Sequence, residues 1–582
     1  MGNIFHLVFF DYLAFGLYIV LICAVGYLSG RRERTDSEGY FLAGRSLPWY
    51  VIGSSFIAAN ISSEHFIGMV GAAYVFGIPV AMYEWGNINS FTVLIWLFIP
   101  FLLATRVFTI PEFLEKRFNN TLRQFFAVLT LIVNIFAFLA AVLYGGGLAL
   151  HLLFGWSMLF SVIFLGVVAG SWAIYGGLKS VAWIDFFTLI IMVGGGVIVT
   201  ILGLYMLSGS EHSLVKGFHV MIECNRAKTG VWAQAVAQNA RHIAATDTYN
   251  RLSVIQPVSH LVLPWPCLFY GFLAVSIWYC ALNQFMIQRV LGAKNMYHAR
   301  MGLVLAGYMK VIMPLIVVFP GLILFAKHPE YMLKPWEEIR PAADRSYIQM
   351  LQMVIPAGLR GIYLAALFGA IQSTVNAVLN SSATVVTLDI YQRIFNKKAS
   401  DKKLVFMGIW SSVVILIISI IMANYISKMQ TGLFMYIQTL YAFFAPPFAA
   451  VFLLGVLSRR INAKGACAAV FSGFAFAILI KVYLAIWPGL FGETAYNIVN
   501  SFNNQSFITW LFSFIVCIVV SLLTAPPRPE QVDNNLTVNW KKMNIFNELG
   551  DKWYQSVILW WGIFAACIIG LVITFSQIVF GD

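Results

Sequence analysis

The chain has 582 residues, of which 60% are hydrophobic and 10% charged, with a mean hydropathy of +0.81; soluble domains carry roughly one quarter charged residues. These values exclude an ordinary soluble globular protein and predict an all-α polytopic membrane protein. The net charge of +13 could suit an anionic partner, but the charges fall in short connections between apolar runs, which excludes nucleic acid as the partner.

Runs of about 18 to 25 mostly apolar residues predict helices over 8–28, 48–72, 78–104, 124–153, 156–175, 181–207, 259–287, 301–326, 350–388, 404–424, 433–457, 463–487, 506–525 and 555–579, about fourteen transmembrane spans in all. The first run lacks a basic leader and a small-residue cleavage site, so it reads as a retained span and not a signal peptide. The second contains Asn60, Glu64 and His65, and the third contains Glu84. Between the sixth span and the seventh lies a hydrophilic segment, 208–258, expected outside. The seventh span is interrupted by polar residues between Ser276 and Gln284. The eighth carries Lys310, an ammonium whose burial in hydrocarbon costs ~3 kcal/mol or more unless it faces a cavity or a polar partner. The ninth carries Ser373, Thr374, Asn376 and Asn380; three of these follow i, i+3, i+7, a polar stripe on one helix face. A second hydrophilic segment, 526–553, is expected in the cytoplasm before the last span. Neither insertion is long enough to bury a core of its own, so residues 1–582 read as one transmembrane domain.

Matching interruptions in the second and seventh spans predict two inverted five-helix repeats, 48–207 and 259–457, with a binding site between them. Orientation follows from the basic residues Arg31, Arg32, Arg34, Arg106, Lys116, Arg117, Arg123, Lys179, Arg289, Lys294, Arg300, Arg393, Lys397, Lys398, Lys402, Lys403, Arg459, Arg460 and Lys464. All fall in connections that become cytoplasmic if the N-terminus is outside, and an even number of spans returns the C-terminus outside. Six of the seven cysteines sit in apolar spans and Cys224 in the outer segment, so no disulfide or metal spacing is visible. Asn504-Gln505-Ser506 is a glycosylation sequon in an expected outer loop.

Several stretches in order resemble the solute:sodium symporter family, in its sodium/glucose cotransporter branch and most of all its bacterial sodium/galactose members. They are Ile57–Gly68 (IAANISSEHFIG), Tyr83-Glu84-Trp85, Thr109–Phe118 (TIPEFLEKRF), Tyr175-Gly176-Gly177, Asn283–Arg289 (NQFMIQR), Leu379–Thr384 (LNSSAT) with Asp389-Ile390-Tyr391, and Tyr436-Ile437-Gln438. The resemblance implies a LeuT-like fold and a hexose site formed by Asn60, His65, Glu84, Asn87, Ser276, Lys310 and Gln438, with Tyr279 as an inner gate stacking on the sugar. It implies a sodium site made of the carbonyls of Ala58, Ile61 and Ala370 and the hydroxyls of Ser373 and Thr374. Asp185 matches a second sodium site of some relatives or an inner gate. Asn376 and Ala377 stand where those relatives have hydroxyls, so one sodium per cycle is expected. His65, Asn87, Ser276 and Cys280 depart from the bacterial galactose pattern, and the sugar is left open.

The residue types agree with this. Amide, carboxylate, ammonium and imidazole groups around an aromatic ring are what a polyhydroxylated ring needs. The expected function is sodium-coupled import of a hexose such as glucose or galactose across the plasma or bacterial inner membrane. The alternatives are myo-inositol or another polyol as substrate, or a sugar sensor or sodium channel on the same fold. The remaining class, an enzyme using Glu84, would need paired carboxylates at chemical distance, and no enzyme is expected. The expected partners are the substrate, sodium and the lipid bilayer, with oligomeric state unassigned.

Overall fold

The computed structural model describes residues 7–31, 36–426, 433–539 and 546–576, and every regular element among them is a helix. A chain in hydrocarbon must satisfy its backbone hydrogen bonds within each segment, and helices do this. Among the described residues, eleven helices are long and apolar enough to cross a membrane, and a bent pair makes up to twelve.

The first long helix is α1 (Phe9–Gly30). The expected span 48–72 is split into α2 (Trp49–Asn60) and α3 (Val70–Phe76) by Ile61, whose φ of −79° and ψ of 116° are extended. Two long helices follow, α4 (Ile78–Ala104) and α5 (Asn120–Phe154). Expected spans 156–175 and 181–207 are the two arms of one helix, α6 (Met158–Ser208), of 51 residues. At about 1.5 Å per residue that is more than twice the ~30 Å hydrocarbon thickness. The arms meet at Gly177, with φ 58° and ψ −156°, where an added Cβ would fall 2.3 Å from the Tyr40 carbonyl oxygen. Only glycine accepts both the dihedral and that approach.

The segment 208–258, expected outside, is largely helical, with amphipathic α7 (Leu214–Arg226) and α8 (Gly230–Ala244). After α8 comes Arg251, 1% exposed. It donates to the carbonyls of Val75, Tyr74 and Ala73 at 2.7, 2.8 and 3.4 Å and lies 3.7 Å over the Phe325 ring. A cation thus closes the C-terminus of α3, where unpaired carbonyls and the helix dipole favour it.

The second broken span is α9 (Cys267–Leu282) and α10 (Gln284–Leu291), which meet at 53° around Asn283 with φ −69° and ψ 118°. Next come α11 (Met296–Lys327), α12 (Trp336–Val354) and α13 (Arg360–Phe395). The charged start of α12, Glu337-Glu338, hides it from an apolar-run count. α14 (Asp401–Ile426), α15 (Leu433–Leu457), α16 (Ala463–Ile486), α17 (Phe502–Leu523) and α18 (Val557–Thr574) complete the chain. α13 is central, with nearly every residue from Gly361 to Thr384 buried. α1, α14, α16, α17 and α18 expose apolar side chains such as Leu17, Ile421, Leu479, Leu522 and Ile569, the surface a lipid-facing helix presents.

Two further details differ from the sequence expectations. The basic set expected in the cytoplasm is not all surface charge: Arg117, Arg289 and Arg300 are 0% exposed. Arg117 donates to the carbonyls of Gly455, Ser458 and Ile461 at 2.7, 2.8 and 3.0 Å, so it closes the end of α15; burial lowers its pKa to about 10. The sequon Asn504 is not in a loop but in the first turn of α17, buried, with its amide donating to Val258 and Ile498 carbonyls at 3.0 and 2.7 Å. Arg32, Arg34 and both chain termini lie outside the described residues.

Candidate functional site

Asn60, Ser62 and Ser63 favour local hydrogen bonds over helix continuation, and α2 ends on them. Ser62 Oγ accepts from the Glu64 amide at 3.1 Å, and His65 Nδ1 accepts from the Ser62 amide at 3.4 Å. The chain then resumes as a wide turn over Glu64–Met69 and continues into α3. The break turns the side chains of Asn60, Glu64 and His65 into the bundle.

A cavity of about 60 Å³ lies there, lined by Asn60, Glu64, His65, Met69, Tyr83, Glu84, Asn87, Val275, Ser276, Tyr279, Lys310, Gln438 and Tyr441. All eight residues expected at the sugar site are in this lining. Lys310 Nζ donates to Glu84 Oε2 at 2.7 Å and to Asn60 Oδ1. His65 Nε2 stands 3.2 Å from Glu84 Oε1. Asn60 Nδ2 donates to the Tyr279 hydroxyl at 2.5 Å, and Gln438 Nε2 to Glu64 Oε1 at 3.1 Å. Asn87 Nδ2 turns to the Tyr83 carbonyl at 2.6 Å, with Cys280 Sγ 3.7 Å from its Oδ1. Glu84 and Lys310 are 2% and 3% exposed, so each charge depends on the other for compensation.

Five lining residues were not assigned to the site from the sequence. Glu64 had a signal, a carboxylate inside an apolar run; Tyr83 lay within a recognised stretch; Met69, Val275 and Tyr441 carried none. Tyr279 has the cavity on one side and aromatic rings on the other: Tyr441, Phe285 and Phe138 centroids are 5.8, 6.1 and 6.2 Å away.

The break also exposes backbone oxygen. Thr374 Oγ1, on α13, donates to the carbonyls of Ala59 and Ile61 at 3.0 and 3.3 Å. Ser373 Oγ is buried beside the Asp185 carboxylate of α6; among the described residues neither it nor Asp185 Oδ1 has a hydrogen bond of good geometry. Ala58 and Ala370 are fully buried on the same two helices. Of the five residues expected around sodium, the side-chain contacts join Ile61 and Thr374 directly and add Ala59. Hydroxyl and carbonyl oxygens of this kind suit a hard cation.

Asp185, on the second arm of α6, is 0% exposed. Its Oδ2 accepts from Ser55 Oγ at 2.6 Å and stands 3.5 Å from Arg289 Nη2, while Arg289 Nε also donates to Ser55 Oγ at 2.7 Å. Asn376 accepts from the Ala173 amide at 3.2 Å. The carboxylate therefore ties α2, α6 and α10 together.

Residues 40–473 match the model of the Sodium:solute symporter family. The chain is similar to a sodium/glucose cotransporter of Vibrio parahaemolyticus, 33% identical over 94% of this chain and 97% of that protein. It is also similar to the Bos taurus sodium/myo-inositol cotransporter, 31% identical over 91% and 75% of the two chains, and to the Mus musculus sodium/glucose cotransporter 4, 30% identical over 89% and 76%. Among solved structures, a substrate-bound outward-open Na⁺-coupled sialic acid symporter superposes with a TM-score of 0.68 at 20% identity, over 89% of this chain and 99% of that one. That likeness concerns the fold.

Proposed function

The chain belongs to the sodium:solute symporter family, and from that premise we propose that it imports a hexose such as glucose or galactose together with sodium, by alternating access across the cell membrane. Family membership makes it a transporter and not an enzyme. The observation that carries the substrate reading is the cavity in which Lys310, Glu84, Asn60, His65, Asn87, Ser276 and Gln438 meet beside the Tyr279 ring. These groups donate and accept in the mixture that sugar hydroxyls need, and the ring supplies an apolar face. Tyr279 is the inner gate.

Sodium sits between the broken first-repeat helix and α13, held by the carbonyls of Ala58, Ile61 and Ala370 and the hydroxyls of Ser373 and Thr374. The Thr374 hydroxyl supports this, since it reaches the Ala59 and Ile61 carbonyls across the break and so brings an oxygen of α13 beside the backbone oxygens a hard cation needs. Asp185 acts as an inner gate through its pairing with Arg289 and Ser55, and Asn376 and Ala377 stand where relatives with a second sodium site have hydroxyls, so one sodium moves per cycle.

The chain spans the membrane fourteen times. Splitting α6 at Gly177 and counting α2 with α3 as one broken span adds two crossings to the twelve. The repeats are 48–207 and 259–457, and both termini are outside. The membrane is the plasma membrane or a bacterial inner membrane. Sodium linkage supplies the drive: a ligand shifts the equilibrium by its differential affinity for the two states, so sodium must favour the outward-open form in which the sugar site is competent.

A second substrate, myo-inositol or another polyol, is favoured by the similarity to the Bos taurus protein and by a lining whose polar groups pair with the hydroxyls of any polyol. Competition decides between them. Labelled glucose uptake into proteoliposomes, measured against excess glucose, galactose and myo-inositol, should be displaced best by a hexose; stronger displacement by myo-inositol would reassign the substrate.

A further inference from the structure

We propose that Asp11, on α1, is a positioning residue for α13, the helix that carries Ser373 and Thr374; this rests on the reading that those hydroxyls hold sodium. α1 ends at Gly30, before the family-matched region begins at residue 40, and it is attached to the helix that carries Ser373 and Thr374.

The attachment is a carboxylate shared by two helix N-termini. Asp11 is 0% exposed. Its Oδ1 accepts from the Gly361 amide at 2.9 Å, and its Oδ2 from the amides of Gly358 at 3.1 Å and Val8 at 3.0 Å. Leu359, at the start of α13, offers no side-chain cap of its own. The first amides of a helix have no internal partner and carry the positive end of its dipole, so an anion there is favoured. Here α1 supplies the anion in trans and closes its own first turn with the same group. Gly361 permits this, since an added Cβ would come within 2.1 Å of the Asp11 carbonyl oxygen.

Further along, the two helices stay in parallel register. Phe15 and Tyr18 set their rings edge-on to Phe368, with centroids 5.8 and 6.4 Å apart, and the Tyr18 hydroxyl lies 3.2 Å from Thr188 Oγ1 on α6. Thr188 is one turn from Asp185 on α6. Ser180 Oγ donates to the Gly26 carbonyl at 2.9 Å. α1 thus holds α13 at its N-terminus and braces α6 beside it. Since a helix slides as a rigid rod, an outer clamp at Gly361 sets the height of Ser373 and Thr374, about 18 Å further along at 1.5 Å per residue, against the carbonyls of Ala59 and Ile61.

The test is the sodium midpoint, read in two ways: sugar uptake across a sodium titration, and sodium-dependent thermal stabilisation of the purified full-length protein without sugar. Asp11→Asn places an NH₂ donor against the amides of α13. It should raise the sodium midpoint about fivefold or more, while sugar half-saturation at saturating sodium stays near wild type. Asp11→Glu should fall between, and Tyr18→Phe should shift the midpoint in the same direction by less. An unchanged sodium midpoint in folded Asp11→Asn overturns the proposal. So does an equal loss of sodium and sugar responses in Asp11→Glu and Tyr18→Phe, which would make α1 only a stabilising strut. If Asp11→Asn does not fold, Asp11→Glu and Tyr18→Phe decide by the same criteria. A wild type that is stabilised by sodium but moves no sugar removes the transport reading and leaves these midpoints decisive; a wild type indifferent to sodium overturns both.

Discussion

Lys310 and Glu84 are each almost fully buried, 2.7 Å apart. Removing one partner leaves an uncompensated charge, at a cost of about 3 kcal/mol or more. Lys310→Ala and Glu84→Ala are therefore expected to lose both thermal stability and sugar uptake. The double variant Lys310→Gln/Glu84→Gln separates the two effects: it should recover most of the stability, since neutral isosteres of a buried pair are often tolerated, without recovering uptake. Recovery of uptake together with stability would make the pair architectural. At Tyr279 the ring and the hydroxyl have different jobs. The hydroxyl accepts from Asn60 at 2.5 Å, whereas the ring stands on the aromatic cluster with Tyr441 and Phe285. Tyr279→Phe should keep part of the uptake and Tyr279→Ala should lose about tenfold in apparent sugar affinity, the value of a lost aromatic contact near 1.4 kcal/mol. Equal uptake by Tyr279→Ala and wild type would show that the ring is no gate.

At the scale of elements, the break between α2 and α3 brings two sets of groups into use, side chains to the cavity and carbonyls to α13. Ser373→Ala and Thr374→Ala each remove one oxygen without disturbing the helix, because alanine is the best helix former. Both should raise the sodium concentration for half-maximal uptake, and apparent sugar affinity should fall at low sodium and recover at high sodium, by reciprocal linkage. A sodium titration of uptake by each folded single variant checks this, and curves matching wild type would reduce the hydroxyls to packing groups. The break itself was legible in the sequence, since Asn60, Ser62, Ser63 and Glu64 stand inside an apolar run, and so was the meeting of Lys310 with Glu84, the two charges most in need of each other. What was not legible has physical reasons. α12 carries Glu337 and Glu338 in its first turn and so lacks an apolar signature there. Glu64 finds Gln438, and Arg251 finds the carbonyls of α3, across gaps of hundreds of residues that no local pattern encodes.

For the whole molecule, a cavity of about 60 Å³ is far below the ~300 Å³ of ordinary ligand pockets, so the site has to widen to admit a substrate of hexose size. One positive charge crossing about 100 mV supplies ~2.3 kcal/mol and a tenfold sodium gradient ~1.4 more, enough for roughly 500-fold accumulation with tight one-to-one coupling. The direct test is accumulation itself: purified protein in proteoliposomes, an inward sodium gradient with an inside-negative potential, and labelled hexose recovered chemically unchanged from the lumen. Accumulation above the external concentration that collapses when sodium is replaced by choline or potassium is the predicted result. Equilibration without accumulation, or equal uptake in choline, would contradict sodium-coupled transport.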